Sequence, residues 1–169
     1  MARSILAEET IGTASGRLLV AGPWARASRI VDPSYSSPAD LLALARVDRR
    51  QAGRWAALAA TEQRAISSLV GNGQLPPDWA RATAHGKLVP SGTPNQPHSA
   101  PRYSFDAARV PIRYAGACRA QGRGVAAALW PTLDQAGSPT PYALTLRGQA
   151  LTHDSHPGTR WLAPGCSAR

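Results

Sequence analysis

Lysine, acidic residues and sulfur are all scarce in this 169-residue chain. Lys87 is the only lysine among nineteen basic residues, and the acids number ten, which leaves a formal charge of +9. The arginines are scattered, with Arg46, Arg49, Arg50 and Arg54 as the densest group. A nucleic-acid surface needs a basic stripe interleaved with stacking aromatics. The tryptophans, at 24, 55, 79, 130 and 161, form no such stripe. The arginines therefore read as solvated helix faces, and no nucleic-acid partner is expected. The two cysteines, Cys118 and Cys166, fit neither a disulfide framework nor a CxxC pair. Cys118 falls in an apolar helical pattern and reads as a buried thiol. No apolar run approaches the roughly 20 residues of a membrane span. Residues 1–9 carry Glu8 and Glu9 where an export signal needs its apolar core, so no signal peptide is expected here. P-loop, GxGxxG and GxSxG motifs are absent, as is any strand–helix alternation.

What is present is an ordinary hydrophobic content of 43%, enough for one domain with a core, and we read residues 1–169 as a single unit. The pattern is helices joined by Pro-rich loops, which predicts an all-α fold. Ile5, Leu6, Glu8 and Glu9 recur at helical spacing until Gly12 and the Thr-Ala-Ser-Gly run stop them. Residues 17–22 read as a short extended piece ending in a turn. Ser37-Pro38 is an N-cap with Pro at N1, opening a helix through Leu41, Leu42, Leu44 and Ala45. Trp55, Leu58, Ala59, Glu62, Ile66 and Leu69 mark a long amphipathic helix, ended by Gly71-Asn72-Gly73. Residues 82–102 lack periodicity and read as a surface loop, in which His85 and His98 need no ligand role. Val110, Ile112, Tyr114, Ala115 and Cys118 predict a helix that Pro111 kinks or shortens. Residues 125–131 begin another, and residues 141–151 read as a last helix. His153-Asp154-Ser155-His156 lies beyond it without a third ligand, so no metal site is expected.

The chemistry gathers in Arg102-Tyr103-Ser104-Phe105-Asp106-Ala107-Ala108-Arg109-Val110-Pro111. Asp106 stands where an apolar helix opens, and the positive end of a helix dipole favours a carboxylate. Arg109, three residues on, shares its face. A carboxylate kept ionised beside a guanidinium suits a general base acting on water. The same spacing also describes an ordinary surface ion pair.

The segment Tyr-Ser-Phe-Asp-Ala-Ala-Arg-Val-Pro resembles the signature around the catalytic base of glycoside hydrolase family 8, which includes bacterial cellulases. Other segments resemble that family in the same order. Asp32-Pro33-Ser34-Tyr35 is similar to its Asn-Pro-Ser-Tyr loop, with Asp32 in place of the usual Asn. Pro77-Asp78-Trp79 is similar to its Pro-Asp-Trp between two helices. Tyr142-Ala143-Leu144-Thr145-Leu146-Arg147-Gly148-Gln149 and the tail Arg160–Cys166 resemble the closing part of the endoglucanases encoded with bacterial cellulose synthase.

The resemblance implies an inverting β-1,4-glucanase acting on cellulose or a related glucan, without metal or cofactor. Such an enzyme uses two carboxyl groups roughly 6.5–9.5 Å apart. Residue by residue it makes Asp106 the base, Arg109 the group that orients it, and Tyr35 the residue that positions water or sugar. Trp79 and Tyr103 are implied at the substrate. The family's acid is a glutamate in a motif preceding anything that aligns with this chain, and Glu8 and Glu9 fall in a different helix. The implied fold is an (α/α)6 toroid of helical hairpins needing roughly twice this length. A partial toroid is therefore expected, possessing half a cleft and exposed apolar helix faces. Export to the periplasm or beyond is implied by the family alone. A glucan-binding or scaffold remnant without turnover is the second reading the residues allow, and a basic nucleic-acid-binding module the third.

Overall fold

Helix α3 (Ala52–Val70) packs against two other helices and against a strand of each sheet. Trp55, Leu58, Ala59, Glu62, Ile66 and Val70 are buried along it at helical spacing. The computed structural model describes residues 2–117, 120–137 and 141–151. Cys118, Cys166, residues 153–156 and the tail from Arg160 lie outside the described residues.

The elements run α1 (Ala2–Glu8), β1 (Thr10–Thr13), β2 (Gly16–Leu19), β3 (Ile30–Val31), α2 (Pro38–Val47), α3, β4 (Trp79–Ala82), β5 (Leu88–Ser91), α4 (Arg109–Gly116) and α5 (Ala120–Gln135). Strands β1 and β2 form an antiparallel hairpin, pairing Thr10 with Leu19 and Thr13 with Gly16. Strands β3, β4 and β5 form a second antiparallel sheet in that order, pairing Ile30 with Arg81 and Ala82 with Leu88. The structure is thus helical with two small sheets, and the all-α expectation is corrected to that extent.

Two apolar clusters flank α3. The smaller joins Leu6, Leu19 and Leu41 to Trp55 and Leu58. The larger joins Leu18, Ile66, Val70, Tyr103, Tyr114 and Leu129, among others. Trp55 is fully buried, and truncating such a ring to alanine costs about 3–5 kcal/mol.

Two expectations fail for local reasons. Residues 82–102 are more than a loop, because Leu88–Ser91 pairs with β4 across a turn that contains Gly86 at a φ of +84°. Residues 141–151 are extended, not helical. Leu144 exchanges both backbone hydrogen bonds with Tyr103 at 2.9 Å, and Leu151 donates to Ala143 at 2.9 Å. Between them Gly148 turns the chain at a φ of +84°. Leu144 and Leu146 are two residues apart around β-branched Thr145, a strand period.

Pro111 causes no break. Helix α4 starts at Arg109, so the amide that proline lacks falls in a first turn, where amides have no intrahelical acceptor. Gly122 lets α5 approach α4 closely; a Cβ there would meet the Tyr114 carbonyl oxygen at 2.3 Å.

Candidate active site

Asp106 sits in the turn at residues 105–108 that leads into α4, just before the helix proper. Its carboxylate pairs with the Arg109 guanidinium, and both side chains are partly exposed, at 34% and 43%. The i,i+3 pair survives because the turn already curls as the helix does: Arg109 N–H donates to the Asp106 carbonyl at 3.1 Å.

The turn is held from behind by Asp78, which is 4% exposed. Its Oδ1 accepts the backbone N–H groups of Ser104 at 2.9 Å and Ala107 at 3.0 Å. Its Oδ2 accepts the Ser104 hydroxyl, and Arg102 lies 3.6 Å from it. Asp78 thus caps the segment that presents Asp106. An acid in a Pro-Pro-Asp-Trp loop signals capping, but sequence alone does not say what it caps.

Tyr35 ends a one-turn helix, Pro33–Tyr35, packed against α4. Its ring is 45% exposed. Asp32 caps that turn, accepting the Ser34 N–H at 2.8 Å, and is only 3% exposed. Burial pushes the Asp32 carboxyl up to about 6. Hydrogen bonds from Ser34 oppose the rise, the negative charge of Asp106 adds to it, and the positive charge of Arg109 reduces it. Asp32 therefore lies within electrostatic reach of both. Asp106 and Arg109 lie at the start of α4, the Tyr35 turn packs against that helix, and Asp32 feels the charge of both members of the ion pair. Asp32 was not singled out as a site residue from the sequence; an acid between buried Val31 and Pro33 is the signal that would have found it.

The aromatic residues divide. Tyr103 is fully buried within the larger core, and burial pushes its phenol well above the usual tyrosine range. A sugar ring has no access to it, so the substrate-contact role is corrected to packing. Trp79 is part-buried on β4, its ring tilted 56° against Trp24 at 6.5 Å between centroids. Trp24, which sequence reasoning passed over, is 59% exposed. Phe105, next to Asp106, meets Tyr142 edge-on at 4.8 Å.

Tyr35 also edges a groove of about 270 Å³ whose lining includes Glu9, Asp40, Leu44 and Arg113. Trp79 lines a separate polar cavity of about 160 Å³ with Asp78 and Arg102. Among the described residues no group of three or more His, Cys, Asp or Glu side chains is arranged to hold a metal ion, and no helix is long and apolar enough to cross a membrane.

No family model and no curated protein matches the chain. Solved structures do. The endo-β-1,4-glucanase CMCax from Acetobacter xylinum is similar with a TM-score of 0.71 at 23% identity, over 90% of this chain and 47% of that one. Endoglucanase Cel10, a family 8 glycosyl hydrolase from Klebsiella pneumoniae, is similar with a TM-score of 0.69 at 22% identity, over 98% and 56%. A family 8 xylanase from Teredinibacter turnerae, solved as a catalytic mutant with xylohexaose, is similar with a TM-score of 0.68 at 15% identity, over 89% and 42%. At these identities the likeness establishes the fold, and it is the fold the sequence motifs resemble. The chain spans about half the length of the solved structures it matches.

Proposed function

We propose that residues 1–169 form part of a glycoside hydrolase family 8 catalytic domain, a partial (α/α)6 toroid, that acts on β-1,4-glucan by an inverting mechanism. One observation carries this: Asp106, paired with Arg109, opens α4 beside the Tyr35 turn. Inversion needs a carboxylate to take a proton from water as that water attacks the anomeric carbon. Asp106 is exposed enough to meet solvent, and its ion pair with Arg109 orients the carboxylate. Asp78 holds the turn from behind, so the carboxylate is placed before substrate arrives. Tyr35, half-exposed on the turn that packs against α4, offers a hydroxyl for the water or a sugar oxygen. Trp79 and Trp24 offer ring faces for sugar C–H groups.

The proton donor is assigned by resemblance to the half of the fold that this chain does not span. Asp32 is too buried to serve. Cellulose is the favoured substrate because the motifs at 142–149 resemble those of cellulose-operon endoglucanases, and the similar solved structures include endo-β-1,4-glucanases as well as xylanases. A periplasmic or secreted site of action follows from the same resemblance.

A second reading is a glucan-binding unit without turnover. The exposed Trp24 beside Trp79 suits it, since ring faces hold a sugar without a second carboxyl group. Release of reducing ends from carboxymethylcellulose by wild type and by Asp106→Asn decides between them. Hydrolysis abolished in the variant supports the enzyme. Equal binding of cello-oligosaccharides without hydrolysis in either supports the binding unit. Failure of both activities sinks the glucan assignment.

A further inference from the structure

Glu62 is a second buried carboxyl near the Tyr35 turn, and nothing above uses it. It lies on α3 and is 1% exposed. Its Oε1 accepts the Leu19 N–H from β2 at 2.7 Å. Its Oε2 is dry and has no hydrogen-bond partner among the described residues. The Ser36 hydroxyl, next in sequence to Tyr35, is close enough to influence the carboxyl. That hydroxyl also bonds the Tyr114 phenol oxygen of α4 at 2.7 Å. The Tyr114 hydroxyl in turn makes a long contact, 3.5 Å, to the Glu62 backbone carbonyl. The groups facing Glu62 are thus the Leu19 amide, the Ser36 hydroxyl and the Tyr114 phenol. Of these only Tyr114 titrates, and no cation contributes to the state of the carboxyl.

A dry carboxylate with one amide donor and no cation costs several kcal/mol. The neutral acid has a hydroxyl to give. With the proton on Oε2, donation runs from Glu62 to Ser36, from Ser36 to Tyr114, and from Tyr114 to the Glu62 carbonyl. The Ser36 and Tyr114 hydroxyls then each give once and receive once.

We propose that Glu62 is a positioning residue for Tyr35, held as the neutral acid so that its Oε2 hydroxyl anchors Ser36 and, through Tyr114, fixes the Tyr35 turn against α4. The carboxyl is pushed by burial up to about 7, which is consistent with a proton retained under mildly acidic conditions. Ionisation turns Ser36 into the donor, reverses the ring and slackens the turn. Because Tyr35 matters only if the chain handles a sugar, the catalytic consequence rests on the function proposed above; the structural coupling does not.

The test uses the whole chain. Infrared difference spectra of wild type against Glu62→Gln are expected to show an un-ionised carboxyl band at mildly acidic pH that belongs to Glu62. In ¹³C-tyrosine NMR the Tyr35 ring signal is expected to move with a midpoint near 7 in wild type and to stay fixed in Glu62→Gln. Glu62→Ala is expected to displace the Tyr35 signal at every pH with helical circular dichroism retained. If that variant does not fold, Ser36→Ala, which cuts the same link by one oxygen, takes its place. Absence of the band, or a Tyr35 signal indifferent to these variants, overturns the proposal. On carboxymethylcellulose, Glu62→Ala is expected to lower kcat roughly tenfold to a hundredfold with little change in KM, and Glu62→Gln to recover most of the loss. If the spectra behave as expected and wild type does not turn over, the positioning role stands and the glycosidase reading fails.

Discussion

The Asp78 carboxylate accepts the backbone N–H of Ala107 at 3.0 Å, joining a loop after α3 to the turn that presents Asp106. The same oxygen takes the Ser104 N–H at 2.9 Å. Three donors converge on one buried side chain, so its removal leaves several of them unpaired away from water. Asp78→Ala is expected to lower stability by about 2–4 kcal/mol, at the upper end for hydrogen bonds to a charged group. Asp78→Asn, which keeps one acceptor oxygen, is expected to lose less. Urea unfolding of the three proteins checks this, and equal midpoints would refute the bracing role.

Asp106 and Arg109 predict the opposite pattern, function lost with the fold kept. Both are partly exposed, and an exposed ion pair contributes about 1 kcal/mol or less to stability. Asp106→Asn is therefore expected to leave the melting temperature almost unchanged while lowering glucan hydrolysis by about 10²–10⁴. Arg109→Ala is expected to act in the same direction with a smaller loss. Parallel melting curves and reducing-sugar assays decide; a large stability loss in Asp106→Asn would make the pair structural.

How much of this was legible in the sequence depends on the kind of signal. The long helix was readable because Trp55, Leu58, Ile66 and their neighbours repeat at one helical period and are buried together. Strand β5 was hidden because Leu88–Ser91 is four residues long and lies in proline-rich surroundings; its evidence is the pairing with β4. The 141–151 segment misled because Tyr142, Leu144 and Leu146 fit either period until Tyr103 pairs with Leu144. In the site, the Asp106–Arg109 spacing was local and visible. The partners that give it a setting were not, because Asp32 and Asp78 reach it across long separations in sequence. Tyr103 was misplaced for the same reason: sitting beside a site in sequence says nothing about which way a ring points.

The aromatic residues separate by exposure, and this is testable with ligand alone. Trp24 is 59% exposed beside Trp79, whereas Tyr103 is fully buried. Trp24→Ala is expected to weaken binding of cello-oligosaccharides by roughly 0.5–1.5 kcal/mol, about twofold to tenfold in Kd. Tyr103→Phe is expected to leave Kd unchanged. Titration calorimetry checks both, and weaker binding in the Tyr103 variant alone would reverse the assignment.

Two buried acids give stability a defined pH dependence. Asp32 is raised from 3.8 to about 6 and Glu62 from 4.5 to about 7, both mainly by burial. Between the lower and upper value of each, the folded chain still holds a proton that the unfolded chain has released. Stability then falls as pH rises. The contribution is fully present below about 4, is lost progressively up to about 7, and is flat beyond. Each group contributes at most about 3 kcal/mol to the fall. Melting temperatures across this range are expected to decline in wild type. Glu62→Gln and Asp32→Asn are each expected to remove part of the slope, and a variant as steep as wild type would show that its carboxyl is ionised in the fold.

The electrostatic link between Asp32 and the ion pair makes a sharper prediction. The charge of Asp106 raises the Asp32 carboxyl and that of Arg109 lowers it. Removing one charge must therefore move the Asp32 midpoint in a known direction. In Asp106→Asn it is expected to fall below its wild-type value near 6, and in Arg109→Ala to rise above it. Carboxyl ¹³C NMR of aspartate-labelled protein reads the midpoint directly, and Asp32→Asn identifies the resonance. Since like-charge effects weaken with salt only where solvent intervenes, the shifts are expected to persist at high ionic strength for so buried a group. Opposite shifts of the predicted sign place Asp32 against the ion pair in solution. No shift in either variant would separate Asp32 from the ion pair.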